Sequence, residues 1–201
     1  MFASEYIRLH GRGGANIDSC PGCGSAGPKI RCRDCLGGAL HCESCCVSRH
    51  AENPLHRRWM DSGFFTKISL ASLGLRVQLG HQVGDPCEAP ERGHKEFVVL
   101  HTNGIHDVRV DFCGAGCRSA VQAGPPEVQL LRARWFPATH EKPRTCTTID
   151  LLDQFREETL QAKTTMYDAY RVLERLTNNV RVKPPDRYHE WLRMCREHSF
   201  L

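Results

Sequence analysis

The sequence predicts an α+β protein in which a small zinc-stabilised module precedes a short antiparallel β-sheet and C-terminal helices. Three observations support this fold class: closely spaced Cys and His pairs between residues 20 and 56, an Asn-Gly dipeptide between two β-rich runs, and helical spacing of apolar residues after residue 149. We divide the chain accordingly into a flexible N-terminus (1–19), a zinc module (20–60), a β-hairpin region (61–125) and a connector with C-terminal helices (126–201).

Bulk composition limits the class of protein. No run reaches the roughly 18 apolar residues that a membrane-spanning helix needs, and the opening residues MFASEYIRLHGRGG lack the apolar segment of a secretory signal. We therefore expect a nuclear or cytoplasmic protein that is not secreted. In a reducing compartment the 12 cysteines indicate metal binding rather than disulfides. The net charge of +4 is too small to identify a partner.

The densest motif is CPGCGSAGPKIRCRDCLGGALHCESCCVSRHAENPLH, in which three C-x2-C pairs precede two histidines. A C-x2-C loop lets both thiolates reach one ion at about 2.3 Å, so the spacing predicts zinc. Eight ligands make two tetrahedral sites, which the pairs can share in sequence or in alternation. We favour alternation, because interleaved sites tie a segment with few large apolar residues into one unit. The predicted ligands are Cys20, Cys23, Cys42 and Cys45 for one ion, and Cys32, Cys35, His50 and His56 for the other.

The order of these pairs, with cysteines first and histidines last, is typical of cross-braced B-box and ZZ-type fingers. Cys46 lies beside Cys45 and would break the regular pair spacing. We expect Cys46 to be a spare thiol, with an exchange for Cys45 as the open alternative. Sites closed by four protein ligands are structural, so the module predicts no catalysis and no small-molecule substrate.

The middle of the chain predicts β-structure. The stretch LRVQLG indicates a strand from Leu75 to Leu79 that Gly80 ends. Farther on, EFVVLHTNGIHDVRVDFC contains two β-rich runs separated by Asn103-Gly104. This dipeptide between strand-like runs is the strongest short-range signal for a hairpin with a type I′ turn.

Cysteines around this hairpin predict a third zinc site. Cys87, Cys113 and Cys117 supply three ligands. The fourth is His106 or His81, and we assign His106. The alternative is that the thiols are small buried residues under the hairpin and the histidines are ordinary strand residues.

The C-terminal part predicts helices. In IDLLDQFREETLQAKTTMYDAYRVLERLT the apolar residues recur at three- and four-residue intervals, which indicates a long helix capped by Thr148 or Asp150. Pro184 and Pro185 separate it from a second helix in DRYHEWLRMCREHSF. Positive and negative residues nearly balance along this part of the chain. We therefore expect packing helices, with DNA docking by the arginines of the second helix as the alternative.

Several blocks occur in one order: RCRDC, LHCESCCVSRHAENPLHR, SLASLGLRVQLGH, TNGIHDVRVDFC, QLLRARWFPAT, PRTCTTIDLLDQF and PPDRYHEWLRM. Together they resemble the CxC-type cysteine-cluster domain attached to KDZ (Kyakuja-Dileera-Zisupton) transposases, a family expanded in basidiomycete fungi. The resemblance extends from about Cys20 to the final helix. It implies a fungal, transposable-element accessory region that lies N-terminal to an RNase H-like catalytic core. The residues present do not supply that core, so we expect no enzymatic activity.

The resemblance and the local charge together predict contact with transposon DNA. The basic residues that we assign to this contact are Lys29, Arg31, Arg33, Arg57 and Arg58. Such side chains contact phosphates, which fixes position but not sequence. The alternative is a module for protein interaction or self-association, because B-box and ZZ-type fingers mostly bind proteins. A continuous basic face would favour DNA, whereas arginines scattered around a groove would favour a peptide.

Overall fold

The structure, a computed structural model, describes residues 1–178 and 184–200. Contacts within the chain divide it into two units, Met1–Leu75 and Arg76–Leu201. Both units combine helices with small sheets, which agrees with the predicted α+β class. Among the helices of the described residues, none has the length and apolar composition needed to cross a bilayer.

The first unit contains two helices and one small sheet. Its elements are α1 (Phe2–His10), β1 (Ile30–Cys32), β2 (Leu40–His41), α2 (Glu43–Arg49), β3 (Arg58–Asp61) and β4 (Phe65–Ile68). The strands pair antiparallel in the order β2-β1-β3-β4. One hydrophobic cluster of buried residues packs beneath them and consists of Ile30, Cys46, Leu70 and Leu75. A core of this size gives a unit of this length only limited stability through burial.

Strand register decides which side chains of the first unit point inward. Arg31 pairs with Trp59, and Cys32 pairs with Arg58. Successive side chains of a strand point to opposite faces, so Cys32 and Arg58 share one face while Arg31 and Trp59 share the other. Cys32 and Arg58 are buried, which identifies theirs as the inward face.

The second unit contains two sheets and five helices in its described part. Its elements are β5 (Val77–Gln78), β6 (Pro90–Arg92), β7 (Phe97–His101), β8 (Gly104–Val108), β9 (Val110–Cys113), α3 (Ala120–Ala123), α4 (Pro126–Arg132), β10 (Trp135–Pro137), β11 (Thr145–Thr148), α5 (Ile149–Ala162), α6 (Met166–Thr177) and α7 (Tyr188–His198). The sheet orders are β10-β11-β7-β8 and β5-β9-β6. The strand predicted over residues 75–79 is the shorter β5. Two pairs, β11 with β7 and β5 with β9, are parallel and were not predicted.

The main hydrophobic cluster of the second unit unites strands and helices. Its buried members are Val98, Leu100, Ile105, Phe136, Ala138, Leu151, Leu152, Phe155, Ala169, Tyr170, Leu173, Trp191, Met194 and Cys195. Trp191 is fully buried and its ring centroid lies 5.2 Å from that of Phe155, in an edge-on arrangement. The second unit therefore has a large apolar core whose members include no residue of the Cys87, Cys113 and Cys117 group.

The predicted hairpin turns one residue earlier than expected. β7 and β8 pair antiparallel with His101 opposite Gly104, so the turn residues are Thr102 and Asn103. Neither has a positive φ, whereas a type I′ turn needs positive φ at both central positions. The type I′ prediction is therefore wrong. Gly104 is needed for another reason: its φ is 137°, and a Cβ there would lie 2.9 Å from Oγ1 of Thr177.

The predicted long helix is interrupted and forms two helices. α5 ends at Ala162, and Lys163 then adopts a left-handed conformation with φ 54° and ψ 34°. The hydroxyl of Thr165 accepts a hydrogen bond from the N–H of Asp168 and so caps α6. The start of α5 lies where it was predicted, because Oγ1 of Thr148 accepts a hydrogen bond from the N–H of Leu151.

Candidate metal centres

Four cysteines of the first unit surround one point. The Sγ atoms of Cys20, Cys23, Cys42 and Cys45 all lie within 4.8 Å of one another. Cys20 and Cys23 form a turn before β1, whereas Cys42 occupies the N-cap position of α2 and Cys45 lies in the first turn of that helix. Between the first pair, Gly22 is required by space, because a Cβ there would lie 2.9 Å from Sγ of Cys45.

A second set of four donors interleaves with the first along the chain. It consists of Cys32 and Cys35 with His50 and His56, and its donor atoms again lie within 4.8 Å of one another. Sγ of Cys35 is 3.3 Å from Nε2 of His50 and 3.4 Å from Nδ1 of His56. The structure thus groups these eight residues in the alternating arrangement.

Hydrogen bonding fixes which nitrogen of His50 faces the site. Nδ1 of His50 lies 2.7 Å from the carbonyl oxygen of Cys46, so its N–H donates there and Nε2 keeps a lone pair directed toward Cys35. Cys46 therefore supports the site through its backbone. Its side chain is 2% exposed and packs in the hydrophobic cluster of the first unit, outside both donor sets.

A third donor set lies in the second unit. It brings together Cys87, Cys113 and Cys117 with His81, and all four donor atoms lie within 4.8 Å of one another. Nε2 of His81 is 3.6 Å from Sγ of Cys117. His106, which we assigned as the fourth ligand, is not in this set. It lies on β8, with its Nε2 2.6 Å from Oδ1 of Asn103.

Parallel pairing explains why His81 reaches this site. Gln78 of β5 pairs with Asp111 of β9, and parallel strands end at the same edge of a sheet. The residues that follow the two strands, His81 and Cys113 among them, therefore meet. β6 runs antiparallel to β9 and begins opposite Cys113, which brings Cys87 to the same edge.

Two neighbours hold the end of β9 in place. The buried side chain of Gln129 accepts a hydrogen bond from the N–H of Cys113 at 2.9 Å and donates to its carbonyl at 3.0 Å. Gly80 has a φ of 78°, and a Cβ there would lie 2.7 Å from Cβ of Cys113. A side chain at position 80 would thus displace the ligand, which gives the glycine a structural role in the site.

The donor spacings fit a tetrahedral zinc ion. Bonds of about 2.3 Å to sulfur and about 2.0 Å to nitrogen place two sulfurs about 3.8 Å apart, and a sulfur and a nitrogen about 3.6 Å apart. Sγ of Cys23 and Sγ of Cys42 are 3.6 Å apart, and Sγ of Cys32 is 3.6 Å from Nδ1 of His56. Each of the three sets could hold one metal ion, and thiolate with imidazole is consistent with zinc.

The thiols within a set differ in their readiness to ionise. Hydrogen bonds, first from the hydroxyl of Ser44, lower the pKa of Cys42 to about 5. Cys45 in the same set shares hydrogen bonds with neighbouring thiols, which raise its pKa to about 12. In the third set the backbone N–H of Ser119 lowers the pKa of Cys117 to about 6, while burial raises that of Cys113 to about 12. A metal ion must therefore displace protons from the more resistant thiols.

Two of the five residues assigned to DNA are engaged inside the fold. Arg58 is fully buried, and its Nη1 donates to Sγ of Cys32 at 3.3 Å. It cannot reach a phosphate, so its assignment to DNA is corrected. Arg57 binds Asp34 through its backbone N–H at 2.5 Å and its Nη2 at 2.6 Å. Burial opposes ionisation of Asp34, but the hydrogen bonds from Arg57 outweigh it and lower the pKa of this carboxyl.

The other three residues lie near the outward face of the sheet. Lys29 and Arg33 are exposed. Arg31 is half-buried, its Cζ lies 4.4 Å from the ring centre of Phe65, and its Nη1 donates to the carbonyl of Gly11 at 2.6 Å. Burial, with help from the charge of Arg33, lowers the pKa of Arg31. The five basic residues do not form one continuous exposed face, because Arg58 is buried and Arg57 is paired with Asp34.

Comparison with known proteins places the second unit in a family. Neither a curated protein nor a solved structure matches the chain. The family described as CxC2-like cysteine cluster associated with KDZ transposases matches residues 70–181, which include the third donor set but neither set of the first unit. The match spans more than half of the 201 residues. The chain belongs to the family of CxC2-like cysteine clusters associated with KDZ transposases.

Proposed function

We propose that this chain is a non-catalytic, zinc-binding accessory region of a KDZ-type transposase and that it contacts nucleic acid in the nucleus. The observation that carries the proposal is the closed nature of the three donor sets, each with four protein donors. Four protein ligands satisfy tetrahedral zinc and leave no position for a water or a substrate. Zinc here stabilises a fold that presents a surface to the DNA on which a transposase acts.

Charge at the surface of the first unit supports a nucleic-acid partner. Lys29, Arg33 and Arg49 are exposed, and within the described residues none of them is held by an ion pair. Such side chains can neutralise phosphates and release the counterions around a nucleic acid. The resulting affinity falls steeply with salt and does not by itself depend on sequence.

The proposal is tested by fluorescence anisotropy with zinc-loaded protein. A labelled random-sequence duplex and its separated single strands are each titrated at several salt concentrations, before and after removal of zinc with a chelator. We expect binding of at least one probe, with log affinity falling by about 0.7 to 0.9 per phosphate contact for each unit of log salt. Binding should disappear with the chelator. Absence of binding to every probe at low salt overturns the proposal.

A second candidate function is protein interaction or self-association, and helix α1 favours it. This helix has no buried residue, and Phe2, Tyr6, Ile7 and Leu9 are 87%, 65%, 71% and 69% exposed. An exposed group of large apolar residues is typical of an interaction surface. Analytical ultracentrifugation tests self-association directly, with Ile7→Glu and Leu9→Glu together as the variant that should return a dimer to a monomer.

A further inference from the structure

The outward face of the sheet in the first unit borders a cavity of about 770 Å³. Trp59 and Phe65 project from β3 and β4, α1 contributes Tyr6, and the segment after β1 contributes Arg33 and Leu36. We call this cavity the Trp59 groove. Its volume lies within the roughly 300–1,000 Å³ typical of ligand sites in proteins, so it has room for a planar group of the size of a nucleobase.

Three arginines line the Trp59 groove, beside the thiols of Cys32 and Cys35 that belong to the second donor set. Its lining includes Arg12, Arg31, Arg33 and His10, and among the described residues that line it there is no carboxylate. Arg12 donates from Nε to Asp61 at 2.5 Å, and the charge of Asp61 also acts on Arg31, whereas Arg33 has no ion-pair partner among the described residues. The groove therefore complements an anionic ligand and disfavours a basic peptide.

Aromatic and arginine side chains alternate across the floor of the groove. Arg31 and Trp59 are partners on neighbouring strands, and both point to the outward face. The guanidinium of Arg31 stacks over the ring of Phe65. Single-stranded nucleic acids are recognised by this combination, since bases stack on aromatic rings and on guanidinium planes while cationic groups follow the phosphates.

We infer that the Trp59 groove binds single-stranded nucleic acid, with a base against Trp59 and phosphates at Arg31 and Arg33. This inference rests on the proposed function and specifies its ligand. A duplex keeps its bases paired and stacked, so it cannot offer them to the ring of Trp59. An acidic peptide matches the charge of the groove but has no planar group for the ring.

The experiment compares three probes on the full-length, zinc-loaded chain. They are a labelled oligo-dT of about 15 nucleotides, a duplex of the same length, and a polyglutamate of similar charge. We expect oligo-dT to bind at least roughly tenfold more tightly than the other two, because only its bases can stack. It should also quench the fluorescence of Trp59, since Trp135 and Trp191 are 6% and 0% exposed in the second unit.

Variants separate stacking from charge. Trp59→Leu should weaken oligo-dT binding by roughly fivefold to a hundredfold, whereas Trp59→Phe keeps an aromatic ring and should retain most of the affinity. Arg33→Gln should lower the salt slope by about 0.7. The matched control is Arg92→Gln, which removes one exposed charge from β6 in the second unit, outside the groove, and should leave both the salt slope and the quenching unchanged.

Each outcome bears on one of the two proposals. Binding to the duplex alone, or equal affinity for oligo-dT and polyglutamate, overturns the single-strand inference. The proposed function is then decided by its own anisotropy experiment. Equal losses of oligo-dT affinity in Trp59→Leu and Arg92→Gln overturn the single-strand inference as well. If Trp59→Leu does not fold, as judged by its zinc content, two results still test the inference: the quenching of Trp59 in the unaltered chain and the salt slope of Arg33→Gln. Absence of binding to both nucleic acids overturns both proposals.

Discussion

Arg58 and Cys32 lie opposite each other on β3 and β1, and the buried guanidinium of Arg58 donates from Nη1 to the Sγ of Cys32 at 3.3 Å. A buried guanidinium is unfavourable unless a negative group meets it. The Cys32 thiol can meet it only as a thiolate, and burial raises the pKa of this thiol to about 11 even beside Arg58. A metal ion that removes this proton would therefore complete the charge balance.

Replacing Arg58 should selectively weaken the donor set that contains Cys32 and the two histidines. Arg58→Met keeps most of the buried volume but removes the donor to Cys32, and loss of such an outer partner lowers metal affinity by roughly ten- to a hundredfold. Titration with cobalt(II) resolves this mixed set and the all-cysteine set of the first unit by their absorption. Arg49→Met, on the exposed side of α2, is the control and should leave both sets intact. Equal weakening of the all-cysteine set in Arg58→Met would contradict this role.

His81 and His106 should differ in their effect on metal content. His81→Ala removes one of the four donors of the third set, so we expect the zinc content of the purified protein to fall from three ions toward two. His106→Ala removes a side chain that contacts Asn103 instead and should keep all three ions. Native mass spectrometry counts the bound ions. A loss of zinc in His106→Ala with none in His81→Ala would show that His106, as predicted from the sequence, is the fourth ligand.

The contrast between these two histidines shows what the sequence could reveal. Pairs such as Cys20 and Cys23 carry their geometry in local spacing, so the eight donors of the first unit are evident from the sequence. The fourth donor of the third set depends on the parallel pairing of β5 with β9, whose partners Gln78 and Asp111 are far apart in the chain. Proximity to the hairpin favoured His106, but only the sheet topology shows that His81 lies at the correct edge.

The prediction of helix and turn boundaries was also limited, because different local signals in the sequence compete. The three- and four-residue spacing of apolar residues continues on both sides of Lys163 and Thr165, so it predicts one helix. The side chain of Thr165 instead caps the start of a second helix. In the hairpin, Asn103-Gly104 was assigned to the turn, whereas close packing at Thr177 explains the glycine. The basic residues illustrate the same limit, because charge in a sequence does not distinguish exposed Arg33 from buried Arg58.

Ionisation of Tyr170 should lower the stability of the second unit at alkaline pH. Burial raises the pKa of its phenol to about 12 from the ordinary value of 10.0. A folded-state pKa above the unfolded value means that this stabilisation is complete below pH about 10 and is lost as pH rises toward about 12. The hydroxyl also accepts a hydrogen bond from the N–H of Arg187 at 2.7 Å.

Tyr170→Phe should therefore reduce stability by about 1 kcal/mol at neutral pH, because the N–H of Arg187 loses its acceptor. Between pH 10 and 12 the difference from the unaltered chain should shrink, since the variant has no phenol to ionise at this position. Urea unfolding followed by fluorescence of the second unit measures both effects. Tyr167→Phe is the matched control on the same helix, where the side chain is 56% exposed. A constant difference across this pH range would rule out the proposed titration.

Removal of metal should unfold the first unit while the second keeps its core. The hydrophobic cluster of the first unit has four buried members, and structural zinc supplies on the order of 10 kcal/mol to modules of this kind. The second unit buries fourteen side chains in its main cluster, apart from the third donor set. After chelation, trypsin should cleave rapidly between residues 1 and 75, and mass spectrometry should detect a persistent fragment from residues 76–201. Readdition of zinc should restore protection of the first unit. Equal rates of digestion in both units after chelation would instead mean that the third metal ion, and not the apolar cluster around Trp191, holds the second unit together.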